Sequence, residues 1–271
     1  NVRGFFMVKN IYIRFLLLCF AFVFTSSVSF AQVSWNGGGD GVNWSSAGNW
    51  STGIVPTNSQ TVTIPSGYTA VTVDMAAVCA SLILGNGGNS NTTLTISGTN
   101  SLNITTAGGG AGNLSFNPNN NPKAYSLIVG GGTVTVAGTL TSGNAGQKGG
   151  VITVSTGSVS FTSVTAFTFP KGLDLTITAT GSISFVASIT LGAASAVEAS
   201  SMTLQGTGAY TFLGLVTLSD ADHIIQNNTA AGTFNFNGGL TMSAGGSSSF
   251  VTMAGTTVNF GGNLNLSLIH I

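Results

Sequence analysis

Apolar and polar side chains alternate over short segments along most of the chain. In segments such as 94–96, 134–136, 175–177 and 234–236, a Thr, Ser or Asn separates two apolar residues. A period of two places the apolar residues on one face, as in a half-buried β-strand. Gly, Asn and Ser fill the intervening positions and favour tight turns. Because no segment after residue 31 shows a clear helical period, the pattern predicts an all-β chain.

A second, longer period groups these segments in threes. The predicted strands of four successive groups are 127–129, 134–136 and 139–141; 152–154, 159–161 and 167–169; 175–177, 183–185 and 189–191; and 202–204, 210–212 and 216–218. The groups start at 127, 152, 175 and 202, which gives steps of 25, 23 and 27 residues. Three strands in about two dozen residues are typical of one rung of a parallel β-helix.

We therefore predict a right-handed parallel β-helix, or β-solenoid, with an aromatic N-terminal cap. The helix occupies residues 80–265 in rungs of about 22–28 residues. The right hand follows from the preference of crossovers between parallel strands. An antiparallel sandwich of short strands is the alternative, although it gives no reason for groups of three.

The first 31 residues resemble an export leader. Lys9 and Arg14 precede the apolar run 15–24, and Ser29 and Ala31 are small residues at the positions that signal peptidase reads. Ten apolar residues fall short of the ~20 needed to span a bilayer. We interpret 1–31 as upstream read-through followed by a secretory signal peptide cleaved after Ala31. The expected location is secreted or on the outer cell surface, with no membrane span in the mature chain.

The last six residues, 266–271, break the alternating pattern. They match the translation of a sequencing adapter, so we interpret them as an adapter-derived tail and the chain as an N-terminal fragment of a longer protein. We therefore assign no function to His270.

The composition is unusually poor in charge. Charged residues make up 4% of the 271 residues, against about 25% in an average domain. Six Lys and Arg cannot neutralise a row of phosphates, so we expect no nucleic-acid partner. Residues 32–265 contain three Lys, no Arg and six acids, a formal charge of 3 − 6 = −3. Cys79, the only Cys of that span, is predicted to be a small buried apolar residue.

The segment 32–79 contains the recognisable motif of the chain. WNGGGDGVNW at 35–44 is followed by AGNWS at 47–51, by Val55-Pro56 and by a strand at 61–65. From 33 to 74 this block resembles the opening segment of large secreted bacterial surface proteins, the autotransporter-like and type IX-exported parallel β-helix adhesins. Gln60 stands where many of those relatives carry Asp. The resemblance implies an exported surface protein with a solenoid stem, and it implies no particular ligand.

Three hypotheses fit the motif itself. Trp35, Trp44 and Trp50 precede the first rungs and are predicted to cover the open end of the tube, where strand edges and apolar side chains would otherwise meet water. Alternatively, their indole faces form a platform for a sugar. A third hypothesis places Ca²⁺ at Asp40 with Asn36 and Asn43, although one carboxylate is few for this cation. We expect no other cofactor.

Residues for catalysis are sparse. The single cluster is Asp220, Asp222 and His223, which we interpret as a polar loop between rungs, with a weaker alternative as an acid–base site. The remaining acids of the mature chain are separate in sequence: Asp40, Asp74, Asp174 and Glu198.

The function predicted from the sequence is therefore non-enzymatic. We expect an exported structural or adhesive protein whose partner is an unidentified surface, glycan or protein ligand. The alternative is a polysaccharide-active β-helix enzyme, a lyase or hydrolase, or a carbohydrate-binding module, whose active region lies outside this fragment.

Overall fold

The structure, a computed structural model, describes residues 31–86, 88, 90–116, 125–142, 150–169, 174–191, 201–218, 224–227, 232–242, 249–251 and 255–266. Within these ranges the regular elements are β-strands, apart from one short 3₁₀ helix at Ala47–Asn49. The prediction of an all-β chain is confirmed.

The strands follow one another along the chain with short connections. The first thirteen are β1 (Ala31–Ser34), β2 (Gln60–Ile64), β3 (Val71–Val73), β4 (Ala76–Cys79), β5 (Ser81–Leu84), β6 (Thr92–Ile96), β7 (Ser101–Ile104), β8 (Leu114–Phe116), β9 (Tyr125–Val129), β10 (Thr133–Val136), β11 (Leu140–Ser142), β12 (Gly150–Val154) and β13 (Ser158–Phe161). The others are β14 (Phe167–Phe169), β15 (Asp174–Ala179), β16 (Ser182–Phe185), β17 (Ile189–Leu191), β18 (Ser201–Gln205), β19 (Ala209–Phe212), β20 (Val216–Leu218), β21 (Ile224–Asn227), β22 (Thr233–Phe236), β23 (Leu240–Met242), β24 (Ser249–Val251), β25 (Thr257–Phe260) and β26 (Leu264–Leu266).

Strands that are three apart in chain order, such as β3 and β6 or β4 and β7, pair in parallel. This pairing builds a solenoid with three faces. Face 1 is an eight-stranded sheet running from β3 through β6, β9 and onward to β24, and face 2 is the eight-stranded sheet from β4 through β7 to β25. Face 3 contains the third strand of each rung, in two five-stranded sheets. The parallel β-helix prediction is confirmed.

The strands predicted in the four groups of three are all present, but one of the three predicted steps is wrong, so the predicted starts at 175 and 202 are each two residues early. Leu127 pairs with Ile152, which pairs with Ile177 and not with Leu175. Ile177 in turn pairs with Leu204. The steps are therefore 25, 25 and 27 residues. An alternation of period two is unchanged by a shift of two residues, so the pattern alone could not fix this register.

Face 3 is divided where one corner of the chain is longer. Its first sheet ends at β11 and its second begins at β14. The connection from β13 to β14 has five residues, 162–166, whereas the next two rungs use three. Val164 in this longer corner is 87% exposed. The two extra residues offset β14 from the ladder that ends at β11.

Inward side chains from the three faces fill the tube. Val136, Val154, Ile177 and Leu204 are all at most 1% exposed, as expected for one common interior. These residues lie in single files along the axis, because each inward position pairs with the equivalent position of the next rung. The core is therefore a set of parallel ladders of apolar side chains.

One ladder on face 2 consists of stacked phenylalanine rings. Phe161 and Phe185 stack with centroids 4.6 Å apart, and Phe185 and Phe212 with centroids 5.3 Å apart. Phe236 continues the stack at 5.0 Å from Phe212, and Phe260 follows at 5.5 Å. The interplanar angles of the first two pairs are 2°. The rings repeat at about the separation of neighbouring strands, so the backbone ladder places them in contact.

A stack of glycines forms the corner between faces 1 and 2. The backbone N–H of Ser182 donates to the carbonyl oxygen of Gly157 at 3.2 Å, and that of Ser158 donates to Gly132 at 3.0 Å. A Cβ on Gly181 would overlap the Gly157 carbonyl, and one on Gly157 would overlap that of Gly132. This close approach of backbones requires glycine and explains part of the 39 glycines of the chain.

The outward side of face 2 carries polar side chains that bond to one another from rung to rung. Asn259 Nδ2 donates to Asn235 Oδ1 at 2.8 Å, and Asn235 Nδ2 donates to Thr211 Oγ1 at 3.4 Å. The hydroxyls of Ser160 and Ser184 are 2.9 Å apart. Asn235 and Asn259 therefore belong to a ladder of side-chain amides on the outward side of face 2.

The phenylalanine ladder yields a first prediction. Replacing Phe185 with Ala removes a buried ring with stacked neighbours on both sides, and should lower the free energy of unfolding by about 3–5 kcal/mol in urea denaturation. Ser184→Ala, on the same strand but facing outward, should cost about 1 kcal/mol or less. Equal losses for the two variants would contradict the inward ladder.

Candidate functional site

The cap begins on face 3, where β1 extends the sheet beyond β2. Ser34 pairs with Thr63, and the backbone N–H of Trp35 donates to the Thr63 carbonyl at 2.9 Å. This register places Trp35 beside Ile64, whose side chain is buried in the tube. Trp35 therefore stands at the end of an inward ladder of face 3.

A second segment of the cap lies on the free edge of face 1. Asn43 forms a parallel bridge with Thr72, in which Trp44 N donates to Thr72 O at 2.8 Å and Thr72 N donates to Val42 O at 2.8 Å. Trp44 is therefore in register with Val73, an inward residue of β3. The bridge satisfies backbone groups at the outer edge of β3 that would otherwise be unpaired.

Trp50 joins these two segments. Its backbone forms an antiparallel bridge with Trp35, and its Nε1 donates to the Trp44 carbonyl at 2.8 Å. The Trp50 ring makes edge contacts with Trp35 and Trp44, with centroids 4.9 and 4.6 Å apart. All three side chains are at most 1% exposed. The predicted aromatic cap is present.

Burial of the indoles bears on the sugar hypothesis. A sugar stacks on an exposed ring face, and the three indole faces are enclosed in this conformation. The Nε1 atoms of Trp35 and Trp44 are buried with no hydrogen-bond partner among the described residues, so apolar packing holds these two rings. The arrangement is that of a core and favours a structural lid over a platform.

Asn49 organises the glycine loop of the motif and was not singled out from the sequence. Its side chain is fully buried, and its Oδ1 accepts from the backbone N–H groups of Gly39 and Gly41, both at 2.9 Å. Its Nδ2 donates to Asp40 Oδ1 at 2.7 Å and to the Asn43 carbonyl at 2.9 Å. The amide thus makes four hydrogen bonds. The repeated Asn-Trp pairs, 43–44 and 49–50, were the one sequence signal that could have pointed to it.

The carboxylate of Asp40 accepts several hydrogen bonds in the same loop. Its Oδ1 accepts from the backbone N–H groups of Val42 and Asn43, both at 2.9 Å, as well as from the Asn49 amide. Its Oδ2 accepts from Asn43 Nδ2 at 2.8 Å. The N–H groups of Asn43 and Val42, followed by the Asn49 amide, hold the pKa of Asp40 well below its usual range.

These donors also bear on the calcium hypothesis. Each of them directs a positive dipole at the carboxylate oxygens that a cation would need. Asn36 Oδ1 accepts from the backbone N–H of Gly38 at 2.9 Å. Among the described residues, no three His, Cys, Asp or Glu side chains come together as a metal site. The geometry of Asp40, Asn36 and Asn43 favours a structural anchor over a cation site.

Two further contacts fix the cap to the first rung. Asp74, directly after β3, accepts from the backbone N–H of Ser45 at 3.0 Å and from its hydroxyl at 2.6 Å. The hydroxyl of Tyr68 donates to the Asn36 carbonyl at 3.0 Å. Gln60 accepts from the backbone N–H of Thr57 at 2.8 Å and so holds a turn.

Asp220, Asp222 and His223 lie outside the described residues, as does Glu198. Cys79 is fully buried in the ladder of face 2, and burial raises the pKa of its thiol well above the usual range. A buried neutral thiol packs as a small apolar residue, as the sequence analysis expected.

Comparison of the chain with protein-family models, curated proteins and solved structures finds no match. Within the part of the chain that the structure describes, no helix has the length and apolar character needed to cross a bilayer.

The cap yields a second prediction. Trp44→Ala should lower the free energy of unfolding by about 3–5 kcal/mol and raise the rate of proteolysis within residues 32–79, because the first rungs lose their covering ring. The matched control is Val42→Ala, two residues away and 40% exposed, which should leave both measurements near the wild-type values. Unchanged melting of the Trp44 variant would favour the sugar platform.

A third prediction concerns pH. The folded-state pKa of Asp40 is depressed, so its contribution to stability is complete above the ordinary carboxyl pKa of 3.8 and is lost as the pH falls through the folded value. Asp40→Asn should therefore be less stable than wild type at neutral pH, and the gap should narrow at acidic pH.

Urea denaturation of both proteins, from about pH 7 down to about pH 3, measures this gap. The same measurement on Asp74→Asn is the control, because Asp74 is a second carboxylate that accepts hydrogen bonds from the cap but lies directly after β3. A gap for Asp40→Asn that is constant over the whole pH range would contradict the proposed role of the charge.

Proposed function

We propose that this chain is the N-terminal part of an exported, non-catalytic stem, a structural or adhesive protein of the cell surface or extracellular space. The observation that carries the proposal is the combination of a capped N-terminal end with an interior filled by ladders that continue without a break along faces 1 and 2. Such a body holds whatever is attached to it at a fixed distance, since each rung contacts only its neighbours along one axis.

The lid supports this function because an exposed strand edge is a hazard for an exported protein. β3 and β2 would each present unpaired backbone groups if the cap were missing, and 42–44 and β1 cover those two edges. Edge-to-edge association of neighbouring copies along β2 and β3 is thereby blocked, whereas β1 and β4 are the terminal strands of their sheets. A sealed end is consistent with a stem that begins at the cap.

The segment before the cap supports export. Removal of 1–31 would leave Gln32, Val33 and Ser34 paired with Thr61, Val62 and Thr63, so most of the β1 ladder would remain. The predicted cleavage and the observed fold are therefore compatible. The charge-poor composition also suits a rod in which every rung repeats the same positions.

Expression of the full chain in a bacterial host with an outer membrane tests the proposal. We expect an exported product whose N-terminus, read by mass spectrometry, is Gln32, and which binds to but does not degrade an extracellular surface or glycan. Leu17→Arg, which interrupts the apolar run of the leader, should remain unprocessed inside the cell.

Two outcomes would contradict the proposal. An unprocessed wild-type chain that stays inside the cell would remove export. Release of sugar fragments from a polysaccharide, measured as reducing ends or as unsaturated products, would favour the alternative of a β-helix lyase or hydrolase.

A further inference from the structure

The outward side of face 1 carries a regular two-file array of small side chains, here called the threonine face. One file pairs Thr93, Ser126, Val151, Thr176 and Thr203 in successive rungs, and the other pairs Thr95, Ile128, Thr153, Thr178 and Gln205. All ten side chains are half-buried, and none is charged or aromatic. Eight of the ten are β-branched, and the pairing from β6 to β18 is continuous.

The spacing of the array follows from strand geometry. Neighbouring strands lie about 4.7–4.9 Å apart, and outward positions two residues apart along a parallel strand are separated by about 6.6 Å. The two files therefore form a rectangular net of methyl and hydroxyl groups. β-branched side chains are restricted at χ1, so the groups of the net have little rotamer freedom to lose on binding.

The hydroxyls of this net are available to an external partner. Among the residues that the structure describes, the side chains of Thr93, Thr95, Thr153, Thr176 and Thr203 make no hydrogen bond, whereas Thr178 Oγ1 donates to Gln205 Oε1 at 3.2 Å. Face 2 differs, because its outward Ser160 and Asn235 bond to their neighbours in the ladder. Face 1 thus presents free hydroxyls along both files, and Val151 and Ile128 add methyl groups at positions of the same files.

A periodic, uncharged net of hydroxyls and methyls is complementary to a periodic, uncharged lattice of hydrogen-bonding oxygens. The surface of hexagonal ice is such a lattice, and its prism plane repeats in a rectangular net of similar dimensions. Waters ordered over the methyls and bonded to the hydroxyls would continue into the crystal.

Other occupants fit less well. A glycan site would be expected to offer an aromatic ring for stacking, and the ten positions hold none. A dry contact with a second copy would pair hydroxyl with hydroxyl only where the two nets are in register, and each hydroxyl left unsatisfied would cost about 1–3 kcal/mol.

We propose that the threonine face binds the surface of ice crystals. This inference goes beyond the proposed function and does not depend on it, since it requires only the net on face 1. The two can fail separately, because export is read from the processed N-terminus and ice binding from partition into ice.

The test is ice affinity of the full chain. Ice is grown slowly from a dilute solution containing the protein and serum albumin, and the protein content of the ice and of the remaining liquid is measured. We expect the chain to be enriched in the ice several-fold over albumin. Inhibition of ice recrystallisation at low protein concentration gives a second readout.

A pair of double variants locates the binding face. Thr153→Tyr with Thr176→Tyr places two bulky rings in the centre of the net and should reduce partition to the level of albumin. Thr133→Tyr with Thr135→Tyr makes the same change on the outward side of face 2 and should keep the wild-type partition. Thermal melting and circular dichroism establish that both variants fold.

Each contrary outcome overturns the proposal. Wild-type partition no greater than that of albumin would exclude ice binding. Equal loss in the two folded variants would exclude face 1 as the site. Binding of the wild type to a soluble or crystalline glycan, or dimerisation abolished only by the face 1 variant, without partition into ice, would assign the face to that partner instead.

Discussion

The structure depends on one constraint, the parallel in-register pairing of each strand with the equivalent strand of the next rung. This pairing places equivalent residues at about the strand separation all along the axis, so whatever occupies a position must tolerate a copy of itself above and below. Phenylalanine at the position of Phe185 satisfies the constraint by ring stacking, and asparagine at the position of Asn235 satisfies it by amide hydrogen bonds. Glycine at the position of Gly157 allows backbones to meet. Charged residues fail the same test, which accounts for a chain with 4% of them.

The same constraint makes the ends of the solenoid special. A rung in the middle has neighbours on both sides, whereas the first rung lacks one and would leave strand edges and apolar side chains uncovered. The Trp-containing motif at 35–50 covers both the strand edges and the apolar side chains. Backbone bridges cover the edges at Thr63 and Thr72, and the rings of Trp35, Trp44 and Trp50 cover the side chains. The loop held by Asp40 and Asn49 is what positions those rings, and so a polar network supports an apolar lid.

The repeated strands and the cap could be predicted from the sequence, whereas contacts that depend on the register between rungs could not. Strands could be located because alternation is local, and the cap because its three Trp are clustered before the first rungs. The two-residue shift in register from Leu175 to Ile177 could not be detected from the sequence, because both residues lie on the same face of an alternating strand. The phenylalanine ladder was not singled out, although the predicted second strands 159–161, 183–185 and 210–212 each end in one of its rings, because ring stacking depends on side-chain geometry that the alternation does not contain. Asn49 was missed because its role comes from a loop closed by Gly39 and Gly41.

The central claim of this account is that the cap forms part of the stacked solenoid and seals its first rung. Hydrogen exchange of the full chain, read by mass spectrometry, tests it directly, because the amides of Trp44 and Thr72 are each bonded across the bridge between cap and β3. We expect both to exchange as slowly as amides within β6 and β9, with protection lost together when the first rungs open. Rapid exchange at Trp44 and Thr72, with protection retained from β6 onward, would show that the cap is detached from the solenoid and would contradict the account.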